Sequence, residues 1–318
     1  MNNIDLHKEL DSLIGSAFQS DAPTPEKNSS QATIPESCTA DIGIAIEYIE
    51  RVNFALEHNG VPVINHLEIS NNSGQSFSML EIEFRVDVGG VKENEFSEPH
   101  IVRLAEIQPG QTLKFNEVGL RLNLGAMVRL DEETSGKITA VATCNGNSVG
   151  ISHFPITLLA YNEWNAASGN QQILAAHVQP NHPAVAEIMR ESGAILDQST
   201  GSSSIEGYQS GAERVSQIAE AIFKALVNRK IGYINPPASF ETTGQKIRTP
   251  DSVIDGKLGT CLDLACTYAA CLEAAGLNPV IFVVTGHAYA GYYIEERSFR
   301  VPVCDEGHLA QNFIDQGL

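Results

Sequence analysis

Between Asp41 and about Trp164 the apolar positions fall into short β-prone runs divided by turn residues. The runs are Ile42–Ile46, Val61–Ile64, Leu67–Ile69, Met79–Val86, Leu120–Leu124, Ile138–Ala142 and Ile156–Ala160. Signals such as Asn71-Asn72-Ser73-Gly74, Val88-Gly89-Gly90, Gln108-Pro109-Gly110 and Asn145-Gly146-Asn147 separate them. This spacing predicts an antiparallel β-sandwich of immunoglobulin-like type. From Pro183 the pattern becomes helical, over Ala184–Asp197 and Ala212–Asn228. A further helix is expected to start at Cys261 and stop at Gly276, with Leu262, Leu264, Ala265, Tyr268, Ala269, Leu272 and Ala275 on its apolar side. Pro279 then opens Val280–Val284, an unbroken apolar run that reads as a buried strand. Thr285-Gly286 turns the chain into a second strand over His287–Ile294, whose alternation sets His287, Tyr289, Gly291 and Tyr293 on one face.

Ahead of the sandwich, Asp5–Phe18 is a short helical candidate and Gln19–Ala40 a polar linker that buries too little to order itself. The expected organisation is therefore a helix and linker over 1–40, a sandwich over 41–165 and a second domain over 166–318. With 318 residues there is material for two cores. The charge, 20 − 39 = −19 without a basic stripe, argues against direct contact with nucleic acid. No apolar run approaches the ~18 residues of a membrane span, and the first residues lack the basic start and apolar core of a signal peptide. No membrane partner and a cytoplasmic location are expected. Six cysteines, three of them on one helix, fit reduced thiols better than a disulfide framework.

The candidate chemistry lies in Gly259-Thr260-Cys261-Leu262-Asp263 and Gly286-His287-Ala288-Tyr289. Thr260 and Asp263 have the spacing of a capping box, which makes Cys261 the first helical residue, facing unpaired backbone N–H groups. Those groups and the helix dipole favour a thiolate, and His287 would serve as its base. Each has a plainer alternative: Cys261 as a buried core cysteine, His287 as a turn or core histidine. Cys266 and Cys271 share the helix, but spacings of five rotate successive thiols by about 140°, so they do not converge on one metal ion. His177 and His182 lack a cysteine or carboxylate at ligand spacing, and no cofactor is expected. Gln245 is an oxyanion-donor candidate beside the plainer reading of a polar loop residue. Arg248 reads as a salt-bridging surface group, and Tyr161 and Trp164 as anchors between the sandwich and the second domain.

A Cys at a helix start, a strand, and a His at the head of the next strand with an aromatic two residues on resembles the transglutaminase-like branch of the papain-type cysteine enzymes. The stretches Gly207-Tyr208-Gln209, Ile231-Gly232-Tyr233, Pro236-Pro237-Ala238-Ser239-Phe240, Gly244-Gln245-Lys246-Ile247-Arg248 and Gly259-Thr260-Cys261-Leu262-Asp263 are similar to the front of a bacterial family. In that family a β-sandwich and a transglutaminase-like domain precede a superfamily 1 helicase and often a nuclease, in long proteins linked to antiphage defence. The resemblance covers most of 40–318 and implies a multidomain chain, an immunoglobulin-like sandwich followed by an α+β papain-type domain.

The transglutaminase pattern ends in a third strand whose Asp or Glu, before Pro-Thr, orients the histidine. No such strand follows His287 here. Glu295 shares the His287 face but is about 26 Å along the same strand at ~3.3 Å per residue. Asp305, after Pro302, is the candidate third member by a fold-back of the chain. The expected explanation is a chain truncated at Leu318, with its true third member beyond that residue. The resemblance implies attack of the Cys261 thiolate on a carboxamide or peptide carbonyl, with the Cys261 backbone N–H in the oxyanion hole and a protein or peptide as substrate. Hydrolysis is the preferred outcome, since bacterial members of the fold are mostly read as peptidases. The competing reading is a non-catalytic module that recognises a partner for a downstream helicase or nuclease.

Overall fold

Strand β1 (Ile42–Tyr48) buries Ile42, Ile44 and Ile46 and turns Ala45 and Glu47 outward, the period of two expected of a strand with one face on a core. The computed structural model describes residues 41–165, 170–235 and 244–317. They divide into a sandwich unit, 41–177 with 244–247, and a second unit, 178–235 with 248–317. The helical candidate Asp5–Phe18, the linker to Ala40 and the stretch Pro236–Phe240 lie outside the described residues.

In the sandwich unit, β2 (Arg51–Val52) leads into helix α1 (Phe54–His58), capped by the Asn53 side chain. Strands β3 (Ile64–Asn71), β4 (Phe77–Val88), β5 (His100–Ile107) and β6 (Thr112–Val118) follow, then helix α2 (Leu124–Met127) and strands β7 (Thr134–Cys144), β8 (Asn147–Leu158) and β9 (Glu163–Trp164). One sheet has the order β1-β3-β6, antiparallel throughout; the other has the order β2-β8-β7-β4-β5, antiparallel except for the short β2–β8 pair. Leu67, Ile69, Leu80, Ile82, Phe84 and Ile138 are fully buried within the core of this unit. Where β8 approaches β1 a side chain is excluded: a Cβ on Gly150 would fall 2.3 Å from the Ile42 carbonyl oxygen.

Two differences from the sequence reading have local causes. Val61–Val63 is not a strand, since β3 starts only at Ile64, and from there it runs unbroken through Leu67–Ile69 to Asn71. Leu120–Leu124 is not a strand, because the Asn123 side chain accepts the N–H groups of Gly125 and Ala126 and starts α2 at Leu124. Strands β5 and β6 escape the periodicity because both are edge strands with few buried positions: Leu104 and Ile107 in β5, Val118 in β6.

The second unit begins with α3 (Pro183–Thr200), which has Pro183 in its first turn, is capped by His182 and ends at Gly201 with φ +75°. It continues through α4 (Gly211–Asn228) and β10 (Gly232–Tyr233). Strand β11 (Gln245–Lys246) belongs to the sandwich unit, where it pairs antiparallel with β9. Then come α5 (Pro250–Gly256), β12 (Leu258–Gly259), α6 (Cys261–Ala274), β13 (Pro279–Val284), β14 (His287–Tyr292) and α7 (Gly307–Asp315). Val185, Ile188, Val215, Ile218, Ile222 and Leu272 form the centre of its core. Helix α6 packs on the β13–β14 hairpin and on α3, α4 and α5. Helix α7 has no buried residue and is tied down by Phe313, edge-on to Tyr293 and Phe299. Among the described residues no helix is long and apolar enough to cross a membrane, and the five described cysteines are free thiols.

Candidate active site

The site is built on the first turn of α6. Thr260 is extended, and its hydroxyl accepts the Asp263 N–H at 3.2 Å while an Asp263 carboxylate oxygen accepts the Thr260 N–H at 2.9 Å. This is the reciprocal capping box, and Cys261 follows as the first helical residue. Neither bond of the box uses the N–H groups of Cys261 or Leu262, which point out of the positive end of the helix. Asp263 is fully buried and accepts two further bonds, from the Arg248 backbone N–H at 2.8 Å and from Arg248 Nη1 at 2.7 Å. Arg248 is thus half of an ion pair whose other half lies in the interior. The guanidinium offsets a negative charge that, two residues from Cys261, would otherwise oppose thiolate formation.

The other thiols of α6 have a different setting. Cys266 and Cys271 are buried, and burial pushes each thiol up to about 12, with the Asp263 charge adding to the rise at Cys266. They stay protonated under ordinary conditions and pack as small apolar groups.

His287 reaches the neighbourhood of this helix end by matched lengths. The fourteen residues of α6 span about 21 Å at 1.5 Å each. The six of β13 return about 20 Å at 3.3 Å each. The Thr285-Gly286 turn, with Gly286 at φ +74°, therefore delivers the head of β14 to the level of the start of α6. Ala288 is buried, whereas His287 and Tyr289 are exposed. The imidazole is stacked beside Tyr289 (ring centroids 6.3 Å), which is itself stacked on Phe282 at 5.0 Å. Gly291 makes room for this row, since a Cβ there would lie 3.1 Å from the Phe282 ring.

Among the described residues no hydrogen bond joins His287 to Cys261, and no carboxylate is paired with the imidazole. Asp305 is exposed, and its neighbour Cys304 lies close enough to Tyr293 to help raise that phenol, an effect second to burial. Tyr293 is six residues from His287, about 20 Å along an extended chain. Asp305 accordingly sits toward the far end of the hairpin from the imidazole. Gln245 is buried in β11, in register with Trp164, and is grouped with the sandwich unit rather than with the unit that carries Cys261.

One residue at the thiol had no functional reading from sequence. Tyr233 in β10 pairs in parallel with Gly259 of β12, and the flanking N–H groups of Gly232 and Ile234 donate to Lys257 and Gly259 carbonyls at 2.8 and 3.0 Å. Gly259 packs against the first turn of α6, where a Cβ would lie 3.3 Å from the Leu264 side chain. The pairing thereby sets Tyr233 opposite Gly259, two positions before the nucleophile candidate, close enough for the Cys261 charge to act on the phenol. The phenol is raised above its ordinary range, first by local burial and then by Cys261. The sequence signal was Ile231-Gly232-Tyr233, an apolar residue, a glycine and an aromatic ahead of a two-residue strand, too short to show its partner.

No family model and no curated protein matches this chain. Among solved structures, it is similar to the crystal structure of the periplasmic chaperone SfaE, at 16% identity and a TM-score of 0.24. That match spans 37% of this chain and 57% of the chaperone chain, and so loose a likeness carries no argument about function. The chain is a β-sheet-rich N-terminal region followed by a mixed α/β region that holds the candidate thiol.

Proposed function

We propose that the second unit is a transglutaminase-like cysteine hydrolase acting on a peptide or carboxamide, within a longer bacterial antiphage protein that also carries helicase and nuclease domains. The observation that supports it is the setting of Cys261: the first helical residue of a capped and charge-balanced helix, while Cys266 and Cys271 lie in the helix body with thiols pushed up to about 12. In the proposed reaction His287 takes the thiol proton and the sulfur attacks the carbonyl carbon, forming the C–S bond as the carbonyl electrons move to oxygen. The N–H of Cys261 faces that oxyanion. Collapse expels the amine, which takes the proton from His287, and water then attacks the thioester to release the acid and restore the thiol.

A second reading is favoured by the exposed His287 ring, which is oriented by Tyr289 rather than by a carboxylate. In that reading the unit binds a protein partner and passes the bound state to a downstream effector without turnover. Amine or ammonia release from a panel of peptides and carboxamides separates the two. Hydrolysis is expected, abolished in Cys261→Ala with the circular dichroism spectrum unchanged. Alkylation by iodoacetamide at pH 6.5 provides a substrate-independent check: Cys261 is expected to react ahead of exposed Cys304, and His287→Ala to slow it. If Cys261 reacts no faster than Cys304 and no substrate turns over, the hydrolase reading is wrong and the binding reading stands.

A further inference from the structure

We propose that Tyr233 is a third member of the thiol site, its phenol donating a hydrogen bond to the Cys261 sulfur and holding it as the thiolate. The inference rests on the hydrolase reading for its significance, and on the strand register that brings Tyr233 beside the start of α6 for its geometry. The β10–β12 register fixes the Tyr233 backbone beside Gly259, two residues before Cys261, with backbone bonds on both sides of the tyrosine. Gly259 packs closely on the first turn of α6, where an added Cβ would lie 3.3 Å from the Leu264 side chain, so the strand that carries it runs hard against the start of the helix. The Cys261 side chain is buried, whereas Tyr233 is 54% exposed, an unusual state for a large aromatic unless its outer face meets solvent or a ligand.

The chemistry follows from the donor. A phenol keeps its proton through the pH range in which a thiol ionises, and here burial and the adjacent sulfur both push its ionisation higher. It is a donor to sulfur and never a competing anion. A hydrogen bond to the charged form of an acid favours that form. Together with the helix N-terminus, the phenol gives the thiolate two kinds of support, neither of which needs a carboxylate to orient His287. Such a site tolerates an imidazole that is engaged only when substrate arrives.

The test is the pH dependence of Cys261 alkylation by iodoacetamide, read by peptide mapping on the full chain, in wild type and in Tyr233→Phe. The phenylalanine keeps the ring and removes only the donor. The expected result is a midpoint higher by about one pH unit in Tyr233→Phe, equivalent to about tenfold less thiolate at pH 6.5. Cys304 serves as the internal reference, with an unchanged profile, and thermal melting checks that the fold persists. An unchanged Cys261 midpoint in Tyr233→Phe overturns the proposal, whatever the enzyme assays show. The hydrolase reading is judged separately, by turnover and by the wild-type rate against Cys304. If Tyr233→Phe fails to fold, Tyr233→Trp, which retains an N–H donor on an aromatic ring, replaces it; a Cys261 midpoint below that of Tyr233→Leu supports the donor, and equal midpoints reject it.

Discussion

The first turn of α6 and the body of the same helix set one residue type in two environments. Cys261 is the first residue of a capped helix end, with Tyr233 paired to Gly259 just before it. Cys266 and Cys271, about one and a half and nearly three turns further on, are buried in the helix body and stay thiols. Nothing in the side chain distinguishes them. All three are buried, so the difference in setting is one of position: the open N-terminal end of the helix for Cys261, the enclosed helix body for the other two.

The contrast is broken most directly by reactivity. With thiols pushed up to about 12, Cys266 and Cys271 have only about one thiolate in ten thousand at pH 8. Alkylation of these two in the folded chain is expected to be at least about a hundredfold slower than that of Cys261, the greater nucleophilicity of a more basic thiolate recovering part of the deficit. Comparable rates at all three positions, measured by mass spectrometry after a short pulse, would remove the distinction.

A second contrast sets the Arg248–Asp263 pair against the exposed Arg103–Glu81 pair of the sandwich, similar in length at 2.7 and 2.8 Å. Asp263 is fully buried, so Arg248→Ala leaves an interior carboxylate with only its backbone N–H partners. The expected loss is about 2–4 kcal/mol in the second unit. Arg103→Ala removes a solvated pair and is expected to cost under about 1 kcal/mol. The two units can be read apart in one urea titration. Trp164 is the single tryptophan and lies in the sandwich unit, whereas helical ellipticity comes mainly from the second. Equal losses for the two variants would show that burial of Asp263 does not govern the pair.

His177 supplies the opposite case to Asp263, a buried ionisable group whose Nε2 has no hydrogen-bond partner among the described residues. Burial lowers its pKa from 6.5 to about 4. Between those values the unfolded chain binds the proton and the folded unit does not, so this contribution to stability is complete above about pH 6.5 and lost as pH falls toward 4. From pH 7.5 to 5 the sandwich unit is expected to lose about 2 kcal/mol by this route. In Trp164 fluorescence melts, His177→Leu should flatten the dependence over that window; a slope that persists unchanged assigns it to other groups.

How much of this was readable beforehand follows the range of the interactions. The capping box, the Gly276 stop and the β13–β14 hairpin are local, and their residues lie within a few positions of one another. Period two exposed the central strands of the sandwich, while the edge strands β5 and β6 bury too little to declare themselves. Tyr233 and Arg248 were out of reach for another reason. Each meets the start of α6 from a distant part of the chain, and Arg248 looked like a surface cation because its partner's burial is a property of the assembled unit. Asp305 was considered for the site on the assumption of a fold-back, whereas its neighbour Cys304 lies by Tyr293.

The smallest expected effect isolates the cap from the charges. Thr260→Ala removes the hydroxyl that accepts the Asp263 N–H, but leaves Asp263 bonded to Arg248 and to the Thr260 backbone. Loss of an N-cap side chain costs about 1 kcal/mol, so the second unit should unfold at slightly lower urea while Trp164 fluorescence is unmoved. Thr260→Ser keeps the oxygen and should restore most of the loss. The same pair of variants asks whether the cap matters to the thiol. If the helix end is held by the Asp263 bonds, amide exchange at Asp263 rises in Thr260→Ala but the Cys261 alkylation midpoint stays put. A midpoint that climbs with the loss of the cap would mean instead that the support of the thiolate comes mainly from an ordered first turn, leaving the Tyr233 phenol a minor share.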